Sequence, residues 1–208
     1  MAEPFDEAFW DERYRSRPAL WSGEPNRYLV SEAADLVPGT ALDVGSGEGA
    51  DAIWLAGHGW RVTAVDLSSV ALERGAANAS RAGQQVADRI QWRHADLTTW
   101  QPDRYDLVSA QYLHLPPAQR VPLFARLAAA VLPGGQMLLV GHHPSDLQTT
   151  VGRPSRPELL YTAEDLAASL DPLLWDVVTA DTPGRDATDP AGRTVTVHDT
   201  VLRARRRS

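Results

Sequence analysis

The sequence predicts an α/β fold, a mostly parallel sheet with helices on both faces. Three observations lead there. Five short apolar runs, at residues 41–44, 62–65, 90–92, 105–110 and 137–140, recur along the chain. The stretches between them at 51–58, 70–81 and 118–131 carry apolar residues at helical spacing. Strand, helix and strand in repetition make right-handed βαβ units, whose parallel sheet must be covered on both faces. Finally, a glycine-rich turn, Gly45-Ser46-Gly47-Glu48-Gly49, leads from the first run straight into the first helical stretch. That is where open α/β sheets bind ligands.

Taken in order, the segment before Leu42 stands outside this alternation. It reads as a helix around residues 3–15, a loop holding Pro18, Trp21, Gly23 and Pro25, and a second helix around 27–36. Trp10, Tyr14, Trp21 and Tyr28 crowd into it, either to staple it to the sheet or to line a site. The helix at 118–131 is expected to stop at Pro133-Gly134-Gly135, a stop signal followed by a turn. A further helix at 162–170 has Thr162 as its N-cap and Glu164 and Asp165 in its first turn. Strand-like runs at 175–180 and 194–203 follow. The stretch joining them, 182–192, is too rich in Pro, Gly and Asp for regular structure. The two runs are expected to pair antiparallel at one sheet edge, which makes seven strands with the last antiparallel. One domain is expected over 1–208, with an N-terminal helical lid at 1–39, a ligand-binding core at 40–141 and a substrate-side segment at 142–208.

Composition narrows the function. A chain of 208 residues with 43% hydrophobic and 23% charged residues suits one soluble domain with a substantial core. No apolar stretch approaches the roughly 18 residues of a membrane span. The start, MAEPFDEAFWDERYR, lacks the basic-then-apolar pattern of a secretory signal. The absence of cysteine excludes disulfides, thiolate metal sites and cysteine nucleophiles, and it fits a cytoplasmic location. A net charge of −7 argues against nucleic-acid binding. All 20 basic residues are arginine, so Schiff-base and lysine-base chemistry is excluded. The basic run from Arg203 to Arg207 reads as a solvated strand end.

The chemistry gathers at the strand ends. Gly45, Gly47 and Gly49 let the backbone turn sharply and come close to a ligand. With Ala50 they also satisfy G-x-G-x-x-A, so a dinucleotide site has to be weighed. Asp43, two residues before Gly45, separates the readings: a carboxylate there repels a pyrophosphate and attracts the ammonium of an amino-acid moiety. S-adenosylmethionine (SAM) has the ammonium and no phosphate. Asp66 ends the second strand, placed to accept hydrogen bonds from ribose hydroxyls in either cofactor. Asp96 follows the third strand, positioned either for an adenine amino group, with Leu67 and Leu97 sandwiching the ring, or as the cap of its own turn.

The run of motifs D-V-G-S-G-E-G, A-V-D-L-S, H-A-D-L, Y-D-L-V-S-A-Q and L-P-G-G, over roughly residues 40 to 141, resembles the class I SAM-dependent methyltransferases. The resemblance implies a Rossmann-like three-layer sandwich with strand order 3-2-1-4-5-7-6 and SAM as cofactor. It places Gly45, Gly47 and Gly49, with small Ser46 between them, along the methionine and ribose. Asp66 falls on the ribose, Asp96 and Leu97 at the adenine, and Gln111 at the methionine end. The N-terminal F-W-D-E-R-Y and W-S-G-E-P-N-R-Y-L look like the small-molecule branch that includes tellurite-resistance and thiopurine-type methyltransferases. There an N-terminal helix and loop fold over the cofactor, which implies that Tyr14, Trp21 and Asn26 line the methyl-donor pocket.

Methyl transfer is an in-line displacement, and a base is needed only for a neutral, weakly acidic nucleophile. His114 after the fourth strand, and His142 and His143 after the fifth, are the candidate bases. They lack carboxylate partners at metal-binding spacing, so no metal is expected. The segment AQYLHLPP lacks the signature of enzymes that methylate flipped bases, which leaves a small-molecule acceptor. Two alternatives stand beside this reading. One is an NAD(P)-dependent oxidoreductase, which Asp43 and the lack of a Tyr-x-x-x-Lys pair disfavour. The other is a SAM-binding protein without methyl transfer.

Overall fold

The computed structural model describes residues 6–152 and 156–208. Five strands run parallel, β1 (Thr40–Val44), β2 (Arg61–Asp66), β3 (Ile90–His94), β4 (Tyr105–Gln111) and β5 (Val131–His142). They are linked by helices α3 (Ala50–Gly57), α4 (Ser69–Ala82) with the short α5 (Gln84–Ala87), and α6 (Pro117–Ala129). Helix α7 (Ala163–Ala168) precedes β6 (Trp175–Asp181), β7 (Gly184–Thr188) and β8 (Thr194–Arg206). The sheet order is β3-β2-β1-β4-β5-β8-β6, with β8 antiparallel to both neighbours. This is the expected order, β8 filling the seventh place.

Two sequence expectations need correction. Residues 182–192 do contain regular structure, because β7 pairs along the first half of β8 and makes an eighth strand. Its pattern of alternating partial exposure gives a Gly/Asp-rich stretch a ladder without asking it to fill a core. Pro133-Gly134-Gly135 do not form a turn outside the sheet either. They lie within β5, where the register against β4 shifts between Tyr105 and Leu107 and Gly134 takes φ +81°. The extra residues of that bulge absorb the proline and the positive φ.

Alternation along the strands sorts residues onto two cores. Leu42, Val44, Val108, Ala110, Met137 and Leu139 face α6 and α7 with Leu127 and Leu166. Ala41, Ala64, Leu107, Leu138 and Val140 face the other side, with Leu55 of α3 and Leu29 of α2 (Arg27–Ala33). By the two-residue period, Asp66, Asp43, Ser109, Gln111, His142 and Asp199 share this second face; Asp66, Asp43, Gln111 and His142 lie at or near the ends of their strands, and Asp199, in the middle of β8, pairs with His142.

The N-terminal segment is fastened to the sheet's carboxyl edge. Helix α1 (Glu7–Arg15) is capped by Asp6, and residues 3–5 of the expected helix lie outside the described residues. Asp11 accepts from Ser68 Oγ at 2.6 Å and meets the first turn of α4 through Ser69 Oγ and the Val70 N–H. It thereby supplies a carboxylate where α4 has unsatisfied donors. Glu48, inside the glycine turn, accepts the N–H groups of Leu20 and Trp21 and pairs with Arg74 at 2.9 Å.

Gly49 is set by packing. It has φ +85°, and a Cβ there would lie 2.4 Å from Trp92 Cη2 and 3.3 Å from Gly75 Cα. Gly49→Ala is therefore expected to cost about 2–3 kcal/mol through backbone strain and overpacking. Thermal unfolding should fall by roughly 5–10 °C with an unchanged far-UV spectrum. An unaltered midpoint would contradict this packing.

Candidate cofactor and acceptor site

The turn after β1 is held by β2: the N–H groups of Gly45 and Ser46 both donate to the Val65 carbonyl, at 2.8 and 3.0 Å. Gly45 (φ +70°) and Gly47 (φ +53°) take left-handed conformations that keep side chains out of the space above the strand ends. The Gly47 N–H donates to Asp66 Oδ2 and the Ser68 N–H to Asp66 Oδ1, each at 2.8 Å. Burial raises the Asp66 pKa against these bonds. An ionised carboxylate has about four lone-pair sites, so Asp66 retains acceptor capacity toward hydroxyls.

Asp43 lies at the centre of this arrangement, in register with Ser109 of β4. It is 2% exposed, and its Oδ2 has no hydrogen-bond partner. Burial first, and then the negative charges of Asp51 and Asp66, push its pKa far above the ordinary carboxylate range, and the Ala52 N–H pulls only weakly the other way. Asp51, in the first turn of α3, is itself pushed up to about 6 by burial, although it accepts the Asn26 N–H at 2.6 Å. Two further buried side-chain oxygens in this region, Ser46 Oγ and Gln111 Oε1, also have no hydrogen-bond partner. Gln111 is steadied by donating to Ser109 Oγ at 2.6 Å. Unpaired oxygens beside three carboxylates make a cradle for a cationic, hydrogen-bonding ligand.

The N-terminal segment lies on the turn. Trp21 Nε1 donates to Tyr14 Oη at 3.1 Å, and a Cβ on Gly47 would sit 3.0 Å from that oxygen. Asn26 caps α2 with its side chain and reaches the site through its backbone bond to Asp51. Of the other expected residues, Gly49 packs on Trp92 as described, and Leu67 is half-buried beside Asp66. Asp96 is exposed and accepts from the Thr98 N–H and Oγ, which is the capping role. Leu97 is buried in the core on the α6 face.

The histidines divide. His142 and His114 stack, with ring centres 4.9 Å apart, and the His142 N–H donates to His114 Nε2. His143 instead caps the short helical turn Pro144–Gln148, accepting from the Ser145 N–H. Sequence reading missed two residues here. Asp51 looks like an ordinary first-turn acid. Asp199 stands in the middle of a β-run, where aspartate is depleted, and that was the available signal.

An open α/β sheet with a glycine turn after β1 and carboxylates at successive strand ends defines a nucleoside-cofactor fold. Residues 41–135 match the family of methyltransferase domains, a stretch that holds the glycine turn together with Asp43 and Asp66. A "Ribosomal protein L11 methyltransferase" from Desulfitobacterium hafniense is 34% identical over 127 residues, 60% of this chain and 39% of that one. The chain spans less than half the length of the curated relatives it matches. A structure described under "Conversion of a Disulfide Bond into a Thioacetal Group during Echinomycin Biosynthesis" superimposes with a TM-score of 0.74 at 24% identity, covering 97% of this chain and 92% of that one. TehB from Haemophilus influenzae gives 0.71 at 15% identity, over 97% and 67% of the two chains. Both share the fold. Among the described residues no helix is long and apolar enough to cross a membrane.

The raised carboxylates have a consequence for pH. Above the unfolded-state value of ~4, the folded protein keeps protons that the unfolded chain has lost. Its stability therefore falls as pH rises through about 6. A bound ammonium favours the ionised carboxylates and offsets that loss. SAM affinity is accordingly expected to weaken below about pH 6, by up to roughly tenfold per pH unit for each proton expelled. Calorimetry in two buffers of different ionisation heat should detect the released proton, and Asp51→Asn should flatten the profile. Equal affinity at pH 5 and pH 8 would contradict the carboxylate cradle.

Proposed function

We propose that this protein transfers a methyl group from SAM to a small-molecule nucleophile. The observation that carries this reading is Asp43, a buried carboxylate with an unpaired oxygen, flanked by two more carboxylates at the glycine turn. Such a site attracts an amino-acid ammonium and repels a dinucleotide's pyrophosphate. When bound, SAM supplies a methyl group on a sulfonium that accepts a nucleophile's lone pair.

The chain's own residues bind and orient. Asp43, with Ser46 and Gln111, holds the amino-acid end, and Gly45 and Gly47 leave room for it. Asp66 accepts from the ribose, and Leu67, Asp96 and Leu97 border the adenine. The segment 1–39 acts as a lid in which Tyr14, Trp21 and Asn26 exclude water, the aromatic rings facing a cation favourably. The segment 142–208 shapes the acceptor side, where His114, His142 and His143 are the candidate bases. The net charge of −7 supports a small-molecule acceptor over RNA, and the lack of cysteine supports a cytoplasmic setting.

Calorimetry tests the reading. SAM or S-adenosylhomocysteine should bind with no response to NAD, and Asp66→Ala should weaken SAM by more than tenfold, about 1.4 kcal/mol or more. NAD binding without SAM binding would sink the proposal. Because Trp21 sits on the turn, its fluorescence is expected to change on binding, and a silent Trp21 would count against the lid.

A further inference from the structure

We propose that His142 takes the acceptor's proton and that Asp199 is the positioning residue that fixes it for that task, so that the acceptor is a neutral O–H, N–H or S–H nucleophile. This rests on the methyl-transfer reading above. His142 on β5 and Asp199 on β8 are direct cross-strand partners, with Nδ1 3.4 Å from Oδ1. Asp199 has no exposed surface. Its Oδ2 accepts from Arg185 Nε at 2.5 Å and from Tyr28 Oη at 3.3 Å, and Arg185 Nη2 reaches Oδ1 at 3.5 Å. The imidazole is stacked on His114 and lies 4.5 Å from the Tyr112 ring centre.

These contacts assign the roles. Burial pushes the Asp199 carboxyl up, but the bonds from His142 and Arg185 outweigh it and hold the pKa at about 2. Asp199 is thus an ionised, pure acceptor across the working pH range. A neutral His142 facing it carries its proton on Nδ1 and its lone pair on Nε2. Slightly long contacts of this kind are normal for a base before its substrate arrives. Among the described residues, the groups facing this pair include Arg185 from β7, Tyr28 from α2, and Tyr112 and His114 after β4. His142 also shares the sheet face of Asp43, two strands across (about 10 Å) and four residues (about 13 Å) further along than Leu138, which is level with Asp43. The span between them, over the end of β4, is where an acceptor would meet the methyl donor.

The step balances. The acceptor's lone pair forms a bond to the methyl carbon as the carbon–sulfur bond breaks, and that electron pair stays on sulfur in S-adenosylhomocysteine. The acceptor's proton passes to His142 Nε2, and the imidazolium, stabilised by Asp199, later loses it to water.

The plain alternative is that Asp199 only ties Arg185 of β7 to β8, and the test separates the two. Imidazole ¹⁵N NMR on the full chain at pH 8 should show His142 as the Nδ1–H tautomer, and an Nε2–H tautomer would overturn the proposal. With catechol, tyramine and 2-mercaptoethanol as probe acceptors, Asp199→Asn should lower kcat roughly a hundredfold and move the acid limb of the pH–rate profile. KM and SAM affinity should change less than twofold, and Asp199→Glu should restore part of the rate. A wild-type profile in Asp199→Asn, or turnover confined to pre-formed anions such as iodide, would overturn it. If Asp199→Asn does not fold, His142→Gln leaves the Arg185 pair in place and should show the same loss, and the NMR reading needs no variant. Failure of the wild type to bind SAM would sink the methyl-transfer reading itself. SAM binding with His142 in the wrong tautomer would sink only this inference.

Discussion

Burying a carboxylate without a partner costs several kcal/mol unless it takes up a proton or meets a cation. Asp43 is placed under that constraint by its strand. It sits between β2 and β4, on the face covered by α3, with the carboxylates of Asp51 and Asp66 acting on it. Much else at this edge follows. The turn after β1 has to clear the space above Asp43, which its left-handed glycines do. Asp66 has to be held while buried, and the N–H groups of Gly47 and Ser68 hold it. Asn26 ties the N-terminal segment to the third carboxylate, Asp51. The site is thus electrostatically incomplete, and a cation seated there would supply what the fold withholds.

The parallel sheet explains why one face carries everything. Parallel pairing sends the carboxyl ends of β1 to β5 to one edge, and the two-residue period then selects alternate residues for each face. Asp66, Asp43, Gln111 and His142 fall on the same side because their strands are in register across β2-β1-β4-β5. The antiparallel β8 brings Asp199 to the same edge from the opposite direction. A one-residue slip in any of these strands would turn its polar residue into the opposite, wholly apolar core.

How much of this was legible in the sequence depends on whether a signal was local. The glycine turn, the strand-end aspartates and the Thr162 cap are written in contiguous residues, and the strand order followed from the family those motifs resemble. Strand β7 was hidden because its Gly, Asp and Thr carry no apolar alternation, and its pairing is supplied by β8. The bulge at Pro133–Gly135 was misread for a related reason: proline and glycine signal a turn unless a neighbouring strand absorbs them. Asp51 and Asp199 escaped because their meaning lies in distant partners, the Asn26 N–H for one and Arg185, Tyr28 and His142 for the other. Asp96 carries both signals at once: its Oδ1 caps its own turn, and its carboxylate is exposed at the strand end.

Tyr112 joins the two halves of the site. It is the one non-glycine residue with positive φ among the described residues, at +52°. Such a conformation in a bulky residue costs on the order of 1 kcal/mol or more and persists only where the surroundings fix it. They do so from both sides. The preceding residue, Gln111, ends β4 beside Ser109, and the following one, Leu113, lies where a Cβ on Gly45 would meet it at 3.4 Å. The Tyr112 N–H is held by the Val140 carbonyl at 2.8 Å, and its ring packs on His142. Relaxing φ would swing that ring away from His142 and lift Leu113 off the glycine turn. The strain is the cost of making one residue serve both the Asp43 side and the His142 side, and it couples the geometry of each to the other.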